Sequence, residues 1–149
     1  MQKLIDTLEI KTTPEKIFQW FINIDKNYKS WHPEHISWDW EDGEPFQIGS
    51  KAIAKEYIHG KVHSLKSIIT NIKKNELIEY EFLFPTSIIV KRGSFIFSNT
   101  DSGCIFTATL TFRFGKILSK IFKKQIEATI KHMKEEGENL KRLLETDKI

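Results

Sequence analysis

The last 35 residues repeat apolar side chains at helical spacing, and residues 36–113 before them read almost wholly as strand. Leu118, Phe122, Ile126, Ile130, Met133, Leu140 and Leu144 fall within about a third of a helix circumference at roughly 100° per residue. A chain that ends in one long amphipathic helix must lay that stripe on something, and the preceding strands offer a sheet. The predicted class is therefore α+β, a curved antiparallel β-sheet wrapped around a long C-terminal helix. A helix laid across a curved sheet encloses space lined by apolar side chains. A pocket for a small molecule is expected there.

The chain has 149 residues, enough for one domain with its own core, and no linker, repeat or low-complexity tract divides it. A single domain over 1–149 is predicted. Hydrophobic content of 40% with 29% charged residues is ordinary for a globular protein, and a net charge of +3 is too small for a nucleic-acid footprint. The lone cysteine, Cys104, excludes an internal disulfide and fits a reducing compartment. Residues 1–11 alternate charged and apolar side chains with no apolar signal core, and no stretch approaches 18 apolar residues. The expectation is a cytoplasmic protein without a transmembrane segment.

Residues 8–11 alternate as a half-buried strand, and Thr12-Thr13-Pro14-Glu15 is a helix start with a threonine cap and proline in the first turn. Ile17, Trp20, Phe21 and Ile24 carry that helix. Residues 23–30 predict a short second helix or turn, ended before His32-Pro33 because the residue preceding proline resists helical geometry. Strands follow around 36–40, 50–58, 62–72, 77–84, 88–97 and 104–113, with turns at 42–45, His59-Gly60, 73–75 and 99–103. This order resembles the START-like superfamily, also called Bet v 1-like or polyketide cyclase/dehydrase-like, with its helix-grip fold. The resemblance is carried by 13–18 opening the first helix, Trp31-His32-Pro33, Ile48-Gly49-Ser50 and the C-terminal helix. It implies a chamber for a lipid, hormone, polyketide or other hydrophobic molecule between sheet and helix, in a protein that is either an enzyme or a carrier.

If His59-Gly60 forms a two-residue hairpin loop, Ile58 faces Lys61, Tyr57 faces Val62 and Glu56 faces His63. Glu56 then shares the small-residue face of Ala52 and Ala54, the better candidate for the interior. On the terminal helix His132 and Glu136 are four residues apart and border the buried stripe on one side, together with Thr129 and Gln125. His32 and His35 leave the second helix nearby. Histidines 32, 35, 63 and 132 with Glu56 and Glu136 thus gather around one expected cavity. Imidazole and carboxylate in such numbers suit a zinc-like divalent ion.

The segments Trp31-His32-Pro33-Glu34-His35 and His132-Met133-Lys134-Glu135-Glu136 are similar to the metal-binding segments of diacetylphloroglucinol hydrolases. Those are zinc enzymes that cleave a carbon–carbon bond in an acylated phenol. The resemblance implies His32 or His35 as first ligand, Glu56 as the strand glutamate, and His132 with Glu136 as the helical pair; Tyr28 and Tyr57 are the tyrosines available for catalysis. The chain is much shorter than those enzymes.

Plainer readings stand beside these. His132 and Glu136 also fit a solvent-facing helix pair, and Glu56 and His63 an ordinary cross-strand pair. Arg92 suits either an anchor for a ligand carboxylate or a partner for Glu79 or Glu81. Trp38, Phe82 and Phe95, with Met133, are expected to form apolar wall. Lys116, Lys120, Lys123 and Lys124, interleaved with Ile117, Leu118, Ile121 and Phe122, suit either a solvated face or an anionic lipid surface. Two functions follow from the same container: a metal-dependent hydrolase for an acylated aromatic or polyketide-like substrate, or a non-catalytic carrier of a small hydrophobic or aromatic molecule without metal.

Overall fold

Alternation sets the first strand, β1 (Gln2–Ile10), whose even-numbered side chains turn inward and bury Leu4 and Ile10. The structure is a computed structural model that describes residues 1–41, 43–58 and 60–146. Thr13, not Thr12, caps α1 (Pro14–Ile22), accepting from the Lys16 N–H, and Pro14 occupies the first turn. Asn23 links α1 directly to α2 (Ile24–Trp31), which buries Ile24, Tyr28 and Trp31. The remaining strands are β2 (His35–Trp40), β3 (Lys51–Ile58), β4 (Lys61–Lys73), β5 (Leu77–Phe82), β6 (Val90–Asn99) and β7 (Cys104–Phe112). They form one antiparallel sheet in the order β1-β7-β6-β5-β4-β3-β2, so α1 and α2 bridge its two edges. This is the expected helix-grip arrangement.

The β3–β4 register is the one the hairpin predicts: Ile58 faces Lys61, Tyr57 faces Val62 and Glu56 faces His63. His59 itself and Asp42, each assigned to a turn, lie outside the described residues. A 3-10 turn over Thr86–Ile88 separates β5 from β6, so the break expected around Pro85 is present and both strands end about two residues short of the predicted 77–84 and 88–97 at that break.

The terminal helix is broken. A short α3 (Lys116–Ile121) precedes α4 (Lys123–Thr146), and Phe122 between them leaves helical geometry at φ −98° and ψ 26°. Its ring stacks at 5.5 Å on Phe114, which is buried at the exit of β7. That contact lies at the break between the two helices. Leu118, expected in the buried stripe, is exposed, and so is Ile130. Ile126, Met133, Gly137 and Leu140 carry the buried side of α4. Gly137 lets α4 approach β1 closely, since a Cβ there would stand 3.0 Å from atoms of Asp6 and Leu8.

The space between α1, α2 and the sheet is filled largely by aromatic rings. Phe21 stacks on Phe95 at 4.5 Å and on Phe106 at 5.9 Å, and Phe97 stacks on Phe106 at 6.1 Å. Cys104 is a buried core thiol.

Candidate metal centre

Three local features assemble the site. The bond to Pro33 holds His32 in extended geometry, at φ −152° and ψ 142°, so α2 stops there. A tight turn, closed by the His35 N–H on the His32 carbonyl at 3.0 Å, then starts β2. A β-bulge between His35 and Ser37 places His35 opposite Glu56 while Trp38 faces Ala54. Bulges re-aim side chains in this way, and here His35 joins the inward face. From above, α4 lowers His132 and Glu136, one turn apart.

The convergence is tight. His35 Nε2 lies 2.9 Å from Glu136 Oε2 and 3.2 Å from His132 Nε2, and His132 Nε2 lies 3.1 Å from Glu136 Oε2. Glu56 Oε2 stands 3.6 Å from His35 Nε2 and accepts a hydrogen bond from the Tyr28 hydroxyl. The His35 side chain is fully buried, and Glu56, Glu136 and His132 are mostly so. Each ring is also held from behind. His35 Nδ1 lies 2.9 Å from the Tyr28 carbonyl, to which it donates, and its ring stacks on Tyr28 at 3.9 Å. His132 Nδ1 donates to Glu34 Oε1 at 3.1 Å. The Trp31 indole N–H donates to the Glu136 carbonyl at 2.9 Å and the Asn139 amide to the Trp31 carbonyl at 3.0 Å, tying α4 to α2.

Burial opposes charge on His132. The hydrogen bond and charge of Glu136, then Glu56 and Glu34, outweigh it and lift the ring's pKa from 6.5 to about 9. Burial likewise opposes the Glu136 carboxylate, but hydrogen bonds and charge from His132 and His35 bring its pKa down from 4.5 to about 2. Burial first, then Glu56, push the Tyr28 hydroxyl well above its ordinary 10, so it remains a donor.

The donor set fits a divalent ion. Donors bound about 2.0–2.2 Å from a common ion stand roughly 3–3.5 Å apart, as His35 Nε2, His132 Nε2 and Glu136 Oε2 do; Glu56 Oε2, 3.6 Å from His35 Nε2, borders this set. Both Nδ1 atoms donate to an oxygen, which directs both Nε2 atoms to the shared point. Metal-ligating histidines are oriented by such partners. Two imidazoles with carboxylates suit zinc and related transition ions.

His32 is not brought into this set. His32, Glu34 and His132 draw together, but His32 Nδ1 already accepts the Glu34 N–H at 3.0 Å, and His32 Nε2 donates to Glu135 Oε1 at 3.1 Å. His63 faces Glu56 in register but is exposed, because residues 61–64 overhang the core as a hairpin tip with both faces in solvent. Arg92 is exposed and stands opposite Glu81 in the β5–β6 register, with no ion pair to Glu79 or Glu81 among the described residues. Thr129 Oγ1 bonds back to the Gln125 carbonyl at 2.8 Å within α4 and does not reach the cluster. Met133 is core, and Phe95 belongs to the aromatic stack. Phe82 is half-buried beside Tyr80, and Trp38 lies 5.3 Å from Tyr28. Tyr57 is exposed, so of the two tyrosines named from the sequence Tyr28 is the one at the site. Glu34 and Glu135 were not singled out in the sequence; their roles depend on how α2 meets α4.

Two concavities flank α4. One of about 270 Å³ is lined by His32, Pro33, Glu135, Glu138 and Asn139, on the outer side of the cluster. The other, about 170 Å³, lies between β1 and α4 against Leu4, Ile130 and Met133. Neither is lined by Phe82 or Phe95; Phe95 stacks on Phe21 in the aromatic core. The Trp38 indole N–H is buried with no hydrogen-bond partner among the described residues.

Among the described residues no helix is long and apolar enough to cross a membrane. Comparison with curated protein sequences finds no match. Among solved structures the chain is similar to TTHA0849 from Thermus thermophilus, with a TM-score of 0.78 at 13% identity over 99% of this chain and 100% of that one. Norcoclaurine synthase from Thalictrum flavum gives 0.76 at 12% identity over 99% and 88% of the two chains. The di-domain ARO/CYC StfQ from the steffimycin biosynthetic pathway gives 0.74 at 14% identity; the match covers 97% of this chain and 50% of StfQ. Identities this low show the shared fold. The family model described as polyketide cyclase / dehydrase and lipid transport matches residues 1–145. The chain belongs to that family, and is a START-like, Bet v 1-like ligand-binding domain.

Proposed function

We propose that this domain binds an oxygenated, largely apolar aromatic or polyketide-like molecule beside the His35–His132–Glu136 cluster and hydrolyses it with a bound divalent ion of the zinc class. The observation that carries this reading is the convergence of His35 Nε2, His132 Nε2 and Glu136 Oε2 within 3.2 Å of one another, each ring fixed through its Nδ1. His35, His132, Glu136 and Glu56 would hold the ion. Such an ion supplies Lewis acidity toward a carbonyl oxygen or a water.

The chain's own groups do the rest. Tyr28, held protonated, presents its hydroxyl proton at Glu56 Oε2 and fixes that carboxylate. The stack on Tyr28 and the bond to its carbonyl keep His35 in one orientation. A buried donor without an acceptor costs about 1–3 kcal/mol, so the Trp38 N–H favours a ligand that brings an oxygen to it. Support for an aromatic ligand comes from norcoclaurine synthase, whose structure holds dopamine and hydroxybenzaldehyde, and from StfQ, an ARO/CYC protein.

The test is turnover of a panel of C-acylated phenols by metal-stripped and zinc-reconstituted protein, with binding followed separately by displacement of an apolar dye. Hydrolysis only in the reconstituted protein, lowered about 100-fold or more by Glu136→Gln, is expected. Dye displacement by the same phenols with no turnover under any metal would replace this reading with the carrier.

A further inference from the structure

We propose that the α3 end of the molecule is a docking surface for anionic lipid bilayers. It is independent of the metal centre and of the ligand reading above. Two segments separate in sequence lie at this end of the sheet, both next to the exit of β7. The loop 84–89 exposes Phe84 (73%), Ile88 (62%) and Ile89, and α3 exposes Ile117 (82%), Ile121 (69%) and Leu118. Arg113, at the exit of β7, joins them: its backbone N–H bonds the Ile89 carbonyl at 2.9 Å, and its guanidinium bonds the Ser87 carbonyl. Ser119 Oγ in turn bonds Gln2 on β1, which pins α3 to the sheet edge.

Large apolar side chains this exposed are normally found singly, and a concentration of them marks a surface that something covers. The charge around them says what. From residue 113 to residue 126 the chain carries Arg113, Lys116, Lys120, Lys123 and Lys124 and no acidic residue. All five are exposed. Among the described residues the one acidic group in ion-pair contact with any of the five is Glu127, with its oxygen 3.9 Å from Lys123 Nζ. Lys116 also sits in the first turn of a short helix that carries no acidic residue there to meet its positive end. Charge that costs the helix locally is complementary to an anionic headgroup layer. The projecting isoleucines and Phe84 suit insertion at the headgroup–acyl boundary. A protein partner would favour a groove or a flat apolar face; here the apolar groups stand on two protruding segments ringed by cations.

The experiment is sedimentation of the full chain with vesicles of phosphatidylcholine alone and with 30% phosphatidylserine, at low and at physiological salt. Binding to the mixed vesicles that weakens with salt, and at least tenfold weaker binding to the neutral ones, is expected. Each lysine near an anionic surface contributes about a fivefold factor, so Lys120→Gln/Lys124→Gln should lower affinity roughly 25-fold. Ile117→Ser/Ile121→Ser should lower it about tenfold or more with the far-UV spectrum unchanged. These exposed positions leave the fold intact, and metal content serves as the control that the rest of the molecule is unaltered. Absence of binding to either vesicle, equal binding to both, or unchanged binding by both double variants would overturn the proposal. So would self-association of the wild type that the isoleucine variant abolishes in the absence of vesicle binding.

Discussion

His132 receives Glu34 on Nδ1 and both Glu136 and His35 around Nε2. Without a metal ion, two ring nitrogens 3.2 Å apart need a proton near them, and the surrounding carboxylates supply the reason to keep one. In metal-stripped protein the His132 ring should titrate with a midpoint near 9, read by NMR of its ring protons; a midpoint at or below 7 contradicts this. The sign of the stability effect follows. His132 has its pKa raised above 6.5, so its contribution is full below 6.5 and disappears as pH rises through about 9. Glu136 is lowered from 4.5, so its contribution is full above 4.5 and disappears as pH falls toward about 2. Urea unfolding of metal-stripped protein should show lower stability at pH 9.5 than at pH 6, and His132→Gln should flatten that difference. Much of this cluster was legible in the sequence, because four-residue spacing on a helix and hairpin register are local rules. The choice between His32 and His35 was not. A single bulge after His35 decides it, and nothing in the composition of the segment marks a bulge.

Between elements, close approach decides what the chain tolerates. Gly93 on β6 lies under the Tyr80 ring, where a Cβ would overlap the Tyr80 hydroxyl and stand 2.9 Å from the Thr109 carbonyl oxygen. Gly93→Ala must displace Tyr80 or the β6–β7 pairing. It should destabilise by about 1–3 kcal/mol in denaturant unfolding; a change below about 0.5 kcal/mol would show that the ring moves freely. The terminal helix carries the second lesson at this scale. Its periodicity from Leu118 to Leu144 reads as one continuous stripe, since periodicity registers spacing and not whether a sheet lies beneath it. The helix breaks at Phe122, whose ring stacks on Phe114 at the exit of β7, a contact that depends on where β7 ends in space. The hairpin tip behaves likewise: alternation continues through residues 61–64, but no core reaches that far, and His63 is left in solvent.

Across the whole molecule, the order of elements along the chain and the helix-grip frame were readable because most elements carried their own local pattern. The interior was less so. Ring packing of Phe21, Phe95, Phe97 and Phe106 fills volume that the pattern assigns only to apolar residues, without saying whether they line a space or occupy it. A ligand entering beyond the outer concavity would lie against these rings. Ligand binding should be accompanied by a change in near-ultraviolet circular dichroism with the far-ultraviolet spectrum unaltered. An unchanged near-ultraviolet signal at saturation would place the ligand in the surface cleft beside His32 and Glu135. The frame matters most for joining α2, β2, β3 and α4 at a single point, since no two of them alone supply the full donor set. Elemental analysis of protein purified without chelator or histidine tag measures that directly. About one equivalent of a transition metal is expected in the wild type and less than about one-tenth in His132→Ala; a wild type below one-tenth, or a variant that retains the full amount, would contradict the account.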